Sequence, residues 1–472
     1  MDIKKIKLLC LILGISLAVN LVFGLFLYKR NKEYLFNYKL NSNPDAHHYV
    51  LLGNNFWEKG VYSRQDGPPY MPDVLRTPVY PLIAGGIQYY FKTIWPLYML
   101  QVILTTLSAF IIFAICSEVF HYKAGFWAAL FYGLDPLVLV YNFKAMSEIV
   151  FMFFLLCSIY YFIKFLKPFL YKQTLLYIFL SAFFMAMAIL TRPAALYLPI
   201  VLVFLALIIH YKKIRLLIKF IFVYIFIIVL LLTPWVVRNY HIYGIKKLTI
   251  VDSIGLLYCA AAGVYQLKYN VSREKAVKLI EQKYGVPSHT EAHNFWISKY
   301  SVKNLKDMDM LLKKVAIKII LNNPFYFLKS SLAGLIKATI SHNLEDFAYL
   351  FNVTWHHPQL SLIKSLHFKE FFRNLFLNNL ALTFVFFYQI LFQAIILFFF
   401  FVGLFFLFTN YKENSSGFII LGVIYYFIFT VFIMGLDAYS KYRFPLMPFV
   451  FIIGSYGITS LFSNLFRKAK IA

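Results

Sequence analysis

Apolar runs long enough to cross a bilayer recur from one end of this 472-residue chain to the other, and they settle the class of fold before any motif is read. A hydrocarbon layer roughly 30 Å thick takes about 20 apolar residues of helix to span. Inside that layer each segment must satisfy its own backbone N–H and C=O groups, so the spans are helices. The runs fall at residues 7–28, 95–118, 124–142, 148–166, 174–191, 194–211, 215–234, 379–409, 417–436 and 444–464. The expected fold is an all-α polytopic membrane protein with about 10–12 transmembrane helices. Residues 1–234 form an N-terminal membrane module, 235–378 a large loop outside the membrane, and 379–472 the closing spans. At 61% apolar and 20% aromatic, the composition excludes a soluble domain.

The first run follows MDIKKIKLLC, which starts like a signal peptide, but the run is as long as a span and lacks a small-residue cleavage site. It is expected to stay as the first helix. With Lys4, Lys5 and Lys7 in the cytoplasm, Lys164, Lys167, Lys172, Lys212, Lys213, Arg215, Lys219, Arg467, Lys468 and Lys470 fall inside as well, as the positive-inside rule requires. Both termini are then cytoplasmic, and the two segments too polar to cross, 29–94 and 235–378, lie outside. Much of the net charge of +26 follows from this topology. Nucleic-acid binding would need a basic soluble domain that the chain lacks, whereas an anionic lipid suits the same surplus. Cys10, Cys116 and Cys157 lie within predicted helices, and no cysteine has metal-ligand spacing.

No glycine-rich phosphate loop, internal repeat or Ser/His/Asp arrangement is present, so no nucleotide drives this protein. Within the second external segment, LLKKVAIKIILNNPFYFLKSSLAGLIKATISHN reads as two amphipathic helices divided at Asn323-Pro324. Their lysines alternate with Phe and Leu, as in helices that lie in the membrane interface.

Charged residues near a span need a reason, since each costs about 2.5–3.5 kcal/mol at the centre of the bilayer. Asp135, Lys144, Glu148, Arg192, Arg238 and Arg443 all map to the outer boundary, on segments far apart in sequence, beside Asp45 and Arg76 of the first external segment. A single outward-facing polar cavity accounts for them together. Its guanidinium groups suit a phosphate, to which a planar fork can donate two hydrogen bonds, and a carboxylate among them can take a proton from a hydroxyl nucleophile. His47 and His48 with Asp45 resemble half of a metal site. Adjacent histidines on a helix point in different directions, so no metal is assigned; a divalent ion is allowed but not required. His356-His357, followed by Pro358, is read the same way, and Asp66 and Asp73, among glycine and prolines, are read as solvated loop residues.

DAHHYVLLGNNFWEKGVYS followed by RTPVYPL resembles the first external loop of the C-type glycosyltransferases, in the superfamily of the dolichyl-phosphate-mannose protein mannosyltransferases and the lipid A aminoarabinose transferases. GLDPLVLVYNFKAMSEIVF, ILTRPAALYLP, LTPWVVRNY and YSKYRFPLMPFVFIIGSYG fit the same family in order. The resemblance covers residues 1 to about 240 and again about 437 to 460, while the middle loop matches only loosely through NPFYFLK. It implies a GT-C-type bundle with external interfacial helices in a bacterial inner membrane. The implied activity transfers a sugar, with inversion, from a polyprenyl-phosphate donor to a hydroxyl of a lipid, glycan or protein on the outer face, without a required cofactor. Asp45 stands for the acid that activates the acceptor, and Glu148 for a second acid that supports the site. Arg192 takes the place of a basic residue, often Lys, that holds the donor phosphate. Arg76, Tyr80, Arg238 and Arg443 are implied phosphate or sugar contacts, with His48, Asp135 and Lys144 as accessory residues. Two departures stand out: Ala46 follows Asp45 where the protein mannosyltransferases usually have a second acid, and the extra lumenal domain of the eukaryotic members is missing. A glycolipid flippase or transporter, and an oligosaccharide polymerase or ligase, are the competing readings.

Overall fold

The computed structural model describes residues 3–40, 44–166, 171–209, 211–294, 304–353, 380–411 and 414–469. Eight described helices are long and apolar enough to cross a membrane. They are α1 (Ile3–Arg30), α4 (Trp95–Val119), α7 (Glu148–Leu166), most of α8 (Tyr171–Thr191), most of α10 (Ile214–Tyr243), α16 (Leu380–Thr409), α17 (Gly417–Met434) and α19 (Met447–Ala469), which continues from α18 (Ser440–Arg443). A further apolar helix pair is bent. Helices α5 (Tyr122–Leu134) and α6 (Pro136–Asn142) meet at 54°, because Pro136 cannot continue the hydrogen-bond ladder. Asp135 caps the second piece by accepting from the Leu137 N–H at 2.8 Å. The run expected at 194–211 appears as a shorter apolar helix pair at Pro193–Ile209, containing α9 (Leu198–Ile209). Each of the ten expected spans thus has a helical counterpart, though two fall short of a single straight crossing.

The first polar segment contributes α2 (Pro44–Lys59) and α3 (Val79–Phe91). They cross at glycines: a Cβ on Gly53 would lie 1.9 Å from the Pro81 carbonyl oxygen, and one on Gly85 2.2 Å from the Asn54 nitrogen. Backbones this close tolerate no side chain at either position.

The second polar segment has a core of its own, in which Tyr258, Ile280, Met308, Leu312 and Ile319 are buried together with Val74 and Leu75 of the first segment. Its helices include α11 (Arg273–Tyr284), α12 (His289–His293), α13 (Leu305–Leu321), α14 (Pro324–Ile340) and α15 (Leu344–Leu350). The division of α13 from α14 at Asn323-Pro324 is as expected, with Pro324 at the first position of the helix, where its missing N–H costs nothing. Helix α14 exposes Phe325, Leu328, Leu332, Ile336 and Ile340 at helical spacing. Such a stripe suits apolar surroundings better than water. His356-His357 lies outside the described residues.

Candidate functional site

Five charged side chains from five separate segments form one chain of ion pairs at a single end of the bundle. Asp45 lies in the first turn of α2, where the helix dipole favours a carboxylate. Its Oδ1 accepts from Arg76 Nη2 and its Oδ2 from Lys441 Nζ at 3.1 Å. The Lys441 ammonium also lies 3.9 Å from Glu148 Oε1, which in turn is 2.5 Å from Arg192 Nη1. Arg192 donates to Ser147 Oγ at 3.2 Å, and the Arg76 guanidinium sits 5.3 Å from the centre of the Tyr49 ring. The Thr77 hydroxyl donates to the Thr191 carbonyl at 3.2 Å, which ties the segment carrying Arg76 to the one carrying Arg192.

Exposure separates the two acids. The Asp45 side chain is 23% exposed and can meet a ligand, whereas Glu148 is 1% exposed and neutralises its neighbours from below. Glu148, expected as an acid that supports the site, is buried with its carboxylate against Arg192 and Lys441. Arg76 at 13%, Lys441 at 10% and Arg192 at 17% stay open to the same side.

Beneath this row is a second tier. Arg64 and Asp73 form an ion pair with both side chains wholly buried. The other Asp73 oxygen accepts from the Leu75 and Arg76 N–H groups at 2.8 and 3.0 Å, which fixes the backbone just where Arg76 leaves it. Asp73 is therefore no solvated loop residue, since Arg64 and the two amides supply what water would have. Asp66, in contrast, is 79% exposed, with His47 Nε2 at 3.9 Å. Arg64 also donates to the His293 carbonyl at 2.8 Å and so holds the end of α12 against the site.

His47 and His48 point apart, as helical geometry requires. His47 stacks on Tyr38 at 5.6 Å, while His48 faces His293 with ring centres 5.8 Å apart. Asp45, His48 and His293 each offer one potential ligand atom, and these atoms lie within 4.8 Å of one another. The Nδ1 of His48 is buried and makes no hydrogen bond among the described residues. Burial pushes the His48 imidazole down to about 4, helped by Arg64 and Arg76, and pushes His293 down to about 3 for the same reasons. For Asp45, burial raises the carboxyl, but Arg76 and Lys441 outweigh it and hold it well below the usual range. At neutral pH the site thus presents an ionised carboxylate, neutral imidazoles and several cations.

The other expected site residues serve elsewhere. Tyr80 is fully buried and donates its hydroxyl to Gln101 at 3.1 Å, so it has no hydroxyl to present to a donor. Arg238 donates to the Asp73 carbonyl at 2.6 Å and lies 4.6 Å from the Trp235 ring, bracing the end of α10 against the first segment. Arg443 donates to the carbonyls of Ala338, Thr339 and Ser341 at 2.8–3.0 Å, closing the C-terminus of α14 rather than holding a phosphate. Asp135 is the helix cap at the bend between α5 and α6. Lys144 pairs with Asp346 of α15 at 2.5 Å.

Lys441, Arg64 and His293 were not singled out from sequence. A signal for Lys441 did exist: it lies two residues before Arg443 in YSKYRFP, and residues two apart on a helix face different sides. Which of the two faces the site is a matter of packing. Cavities occur away from this cluster as well, one of about 690 Å³ against His121, Trp127 and Phe462 at the opposite helix ends, and one of about 140 Å³ beside Arg443 and Gln393.

Residues 76–237 match the family model of the dolichyl-phosphate-mannose-protein mannosyltransferases, which bears out the resemblance read from the motifs over that stretch. The matched stretch begins at Arg76 and includes Glu148 and Arg192, but not Asp45, His293 or Lys441. No curated protein matches significantly. Among solved structures, an oligosaccharyltransferase of Archaeoglobus fulgidus is 11% identical with a TM-score of 0.46, over 95% of this chain and 49% of that one. ArnT of Cupriavidus metallidurans, bound to undecaprenyl phosphate, is 12% identical with a TM-score of 0.40, over 94% of this chain and 77% of that one. The chain spans about half the length of the archaeal enzyme, and both likenesses are loose.

Proposed function

We propose that this protein is an integral-membrane glycosyltransferase that moves a sugar from a polyprenyl-phosphate-linked donor to a hydroxyl of a lipid, glycan or protein, on the outer face of the membrane and with inversion. The observation that carries this reading is the Asp45 carboxylate, accessible to a ligand and held between Arg76 and Lys441, with Arg192 joined to them through Glu148. The family match over residues 76–237 supports the reaction class, and the distribution of lysines along the chain supports the orientation.

The geometry suggests how the parts act together. In the resting site the two cations hold Asp45 as a weak base. A donor phosphodiester draws Arg76, Arg192 and Lys441 toward its own oxygens, and as their hold on Asp45 loosens its basicity rises. The acceptor hydroxyl then attacks the anomeric carbon from the face opposite the phosphate. A new carbon–oxygen bond forms, the bond to the phosphate oxygen breaks, and the hydroxyl proton passes to Asp45. The leaving polyprenyl phosphate gains charge, which the cations stabilise in a partly dehydrated site. Charges gathered at one end of the bundle suit this chemistry better than transport, which calls for a binding site near the midplane.

The test is mass spectrometry of lipids that co-purify with the wild type and with Asp45→Asn. The expected result is a polyprenyl-phosphate monosaccharide enriched on the variant, which would bind donor without turning it over. Unchanged turnover in Asp45→Asn would overturn the assignment.

A further inference from the structure

We propose that the cleft between α1, α5 and α19, at the helix ends opposite the charge row, binds one anionic glycerophospholipid, with its phosphate between Lys5 and Lys123 and an acyl chain against Trp127. The cleft has a volume of about 690 Å³, within the range of sites that hold small ligands. Two of its walls repeat one pattern. On α1, Lys5 precedes Leu8 by three residues, and on α5, Lys123 precedes Phe126 and Trp127 by three and four, so on each helix a cation and an apolar group share a face. The Lys5 ammonium lies 5.4 Å from the centre of the Tyr122 ring, which places it at the rim of the same cleft. Both helices start at this end, so the lysines sit at the rim and the apolar groups one turn deeper. Helix α1, with 28 residues, is about 42 Å long, against roughly 30 Å of hydrocarbon, so its terminal turns reach the level of the lipid headgroups. An amphiphile with an anionic head matches this profile from rim to floor.

The wall shared by α5 and α19 is fixed without a ligand. His121 Nδ1 accepts from the Ala124 N–H at 3.2 Å, capping α5, which in the neutral ring leaves the proton on Nε2, 3.3 Å from Thr459 Oγ of α19. Phe120 stacks on Tyr456 at 4.1 Å beside it. The two helices are thus held in register while the space next to them stays open. Charge decides the head of the occupant. No acidic side chain lines the cleft among the described residues, and Glu118, one turn before His121, is held by Lys164. The field at the rim is therefore positive and favours an anion. The apolar walls decide the tail: Trp127 is 38% and Phe462 48% exposed at the mouth, and an acyl chain would cover both where a free phosphate would cover neither. Interfacial tryptophan and tyrosine are common in any membrane protein, but a belt residue faces the lipid from a closed surface, whereas these flank an opening between helices. The site is remote from Asp45 and does not depend on the transferase reading.

The experiment uses the purified full chain in neutral detergent, freed of lipid and titrated with phosphatidylglycerol whose acyl chains carry bromine, a quencher of nearby tryptophan. Of the chain's six tryptophans, Trp127 is the one that lines the cleft among the described residues. The expected result is saturable quenching that disappears in Trp127→Phe, with native mass spectrometry counting one retained lipid per chain. Phosphatidylcholine with the same chains should bind more weakly. Lys5→Gln combined with Lys123→Gln should weaken phosphatidylglycerol binding by roughly 25-fold, about fivefold for each lysine beside an anionic headgroup. Lys212→Gln combined with Lys219→Gln makes an equal change of charge at exposed lysines outside the cleft and should leave binding intact. Equal unfolding temperatures without lipid show that each variant is folded. Equal affinity for the two lipids, quenching that survives Trp127→Phe, lysine pairs that behave alike, or full displacement by inorganic phosphate would overturn the proposal. No sugar donor is present, so failure here is distinct from failure of the transferase reading.

Discussion

Replacing Asp73 by Asn tests the second tier without touching the site directly. Asparagine keeps an oxygen to accept from the Leu75 and Arg76 N–H groups, now at 2.8 and 3.0 Å, but leaves the Arg64 guanidinium without its countercharge at a position where both side chains are 0% exposed. Removing one partner of a buried pair costs about 3–5 kcal/mol. Leucine at the same position also takes the acceptor from two amides, and with one of them fully buried the further loss is about 1–3 kcal/mol. Arg64→Met combined with Asp73→Asn removes both charges while keeping the amide cradle. Because replacing a buried pair by apolar groups is often neutral, the double variant should recover most of the loss. The assay is denaturant and thermal unfolding in detergent, followed by tryptophan fluorescence. A loss of less than about 1 kcal/mol in Asp73→Asn, or a double variant no more stable than that single one, would refute the account of a buried pair. Acid should reproduce the effect with a defined sign. Burial raises the Asp73 carboxyl, but Arg64 and the backbone N–H groups outweigh it and hold it below its usual value. Its contribution is therefore complete above the ordinary carboxylate range and is lost as pH falls through the lowered value.

Two further outcomes separate the roles of residues that look alike in sequence. Lys441→Met removes a cation from both acids and should reduce turnover by about 10²–10³-fold with donor binding also weakened, measured with a polyprenyl-phosphate sugar in detergent; unchanged turnover would remove Lys441 from the site. Tyr80→Phe loses only the buried hydrogen bond to Gln101, so it should lower stability by about 1 kcal/mol and leave the KM for donor unchanged. A raised KM with stability intact would restore Tyr80 as a donor contact.

The membrane plan was legible because it depends on local composition: a run of apolar residues needs no partner to be recognised. The convergence of Glu148 and Arg192 was legible for a related reason, as each lies at a span end where charge is costly, while Asp45 and Arg76 stood out through the motifs of the polar segment between the first two spans. What could not be read was which charges face each other. Asp73 sits among prolines and a glycine, and its composition says loop, yet Arg64 nine residues earlier turns it into a buried anchor. Arg443 and Lys441 share one short helix, and packing of α14 against that helix decides that Arg443 caps carbonyls and Lys441 reaches Asp45. His293 offered no local signal, since its link to the site runs through Arg64, 229 residues away in sequence.

Lys441 follows Asp45 by 396 residues. During synthesis, α2 and the residues around Arg76 leave the ribosome long before the last crossing exists, so the nascent chain carries Asp45 with one of its two cations and Glu148 without Lys441. The charge row closes only when α18 emerges and its helix is inserted. A chain that stalls or is truncated before that point holds every residue of the matched family segment and still lacks the complete charge row.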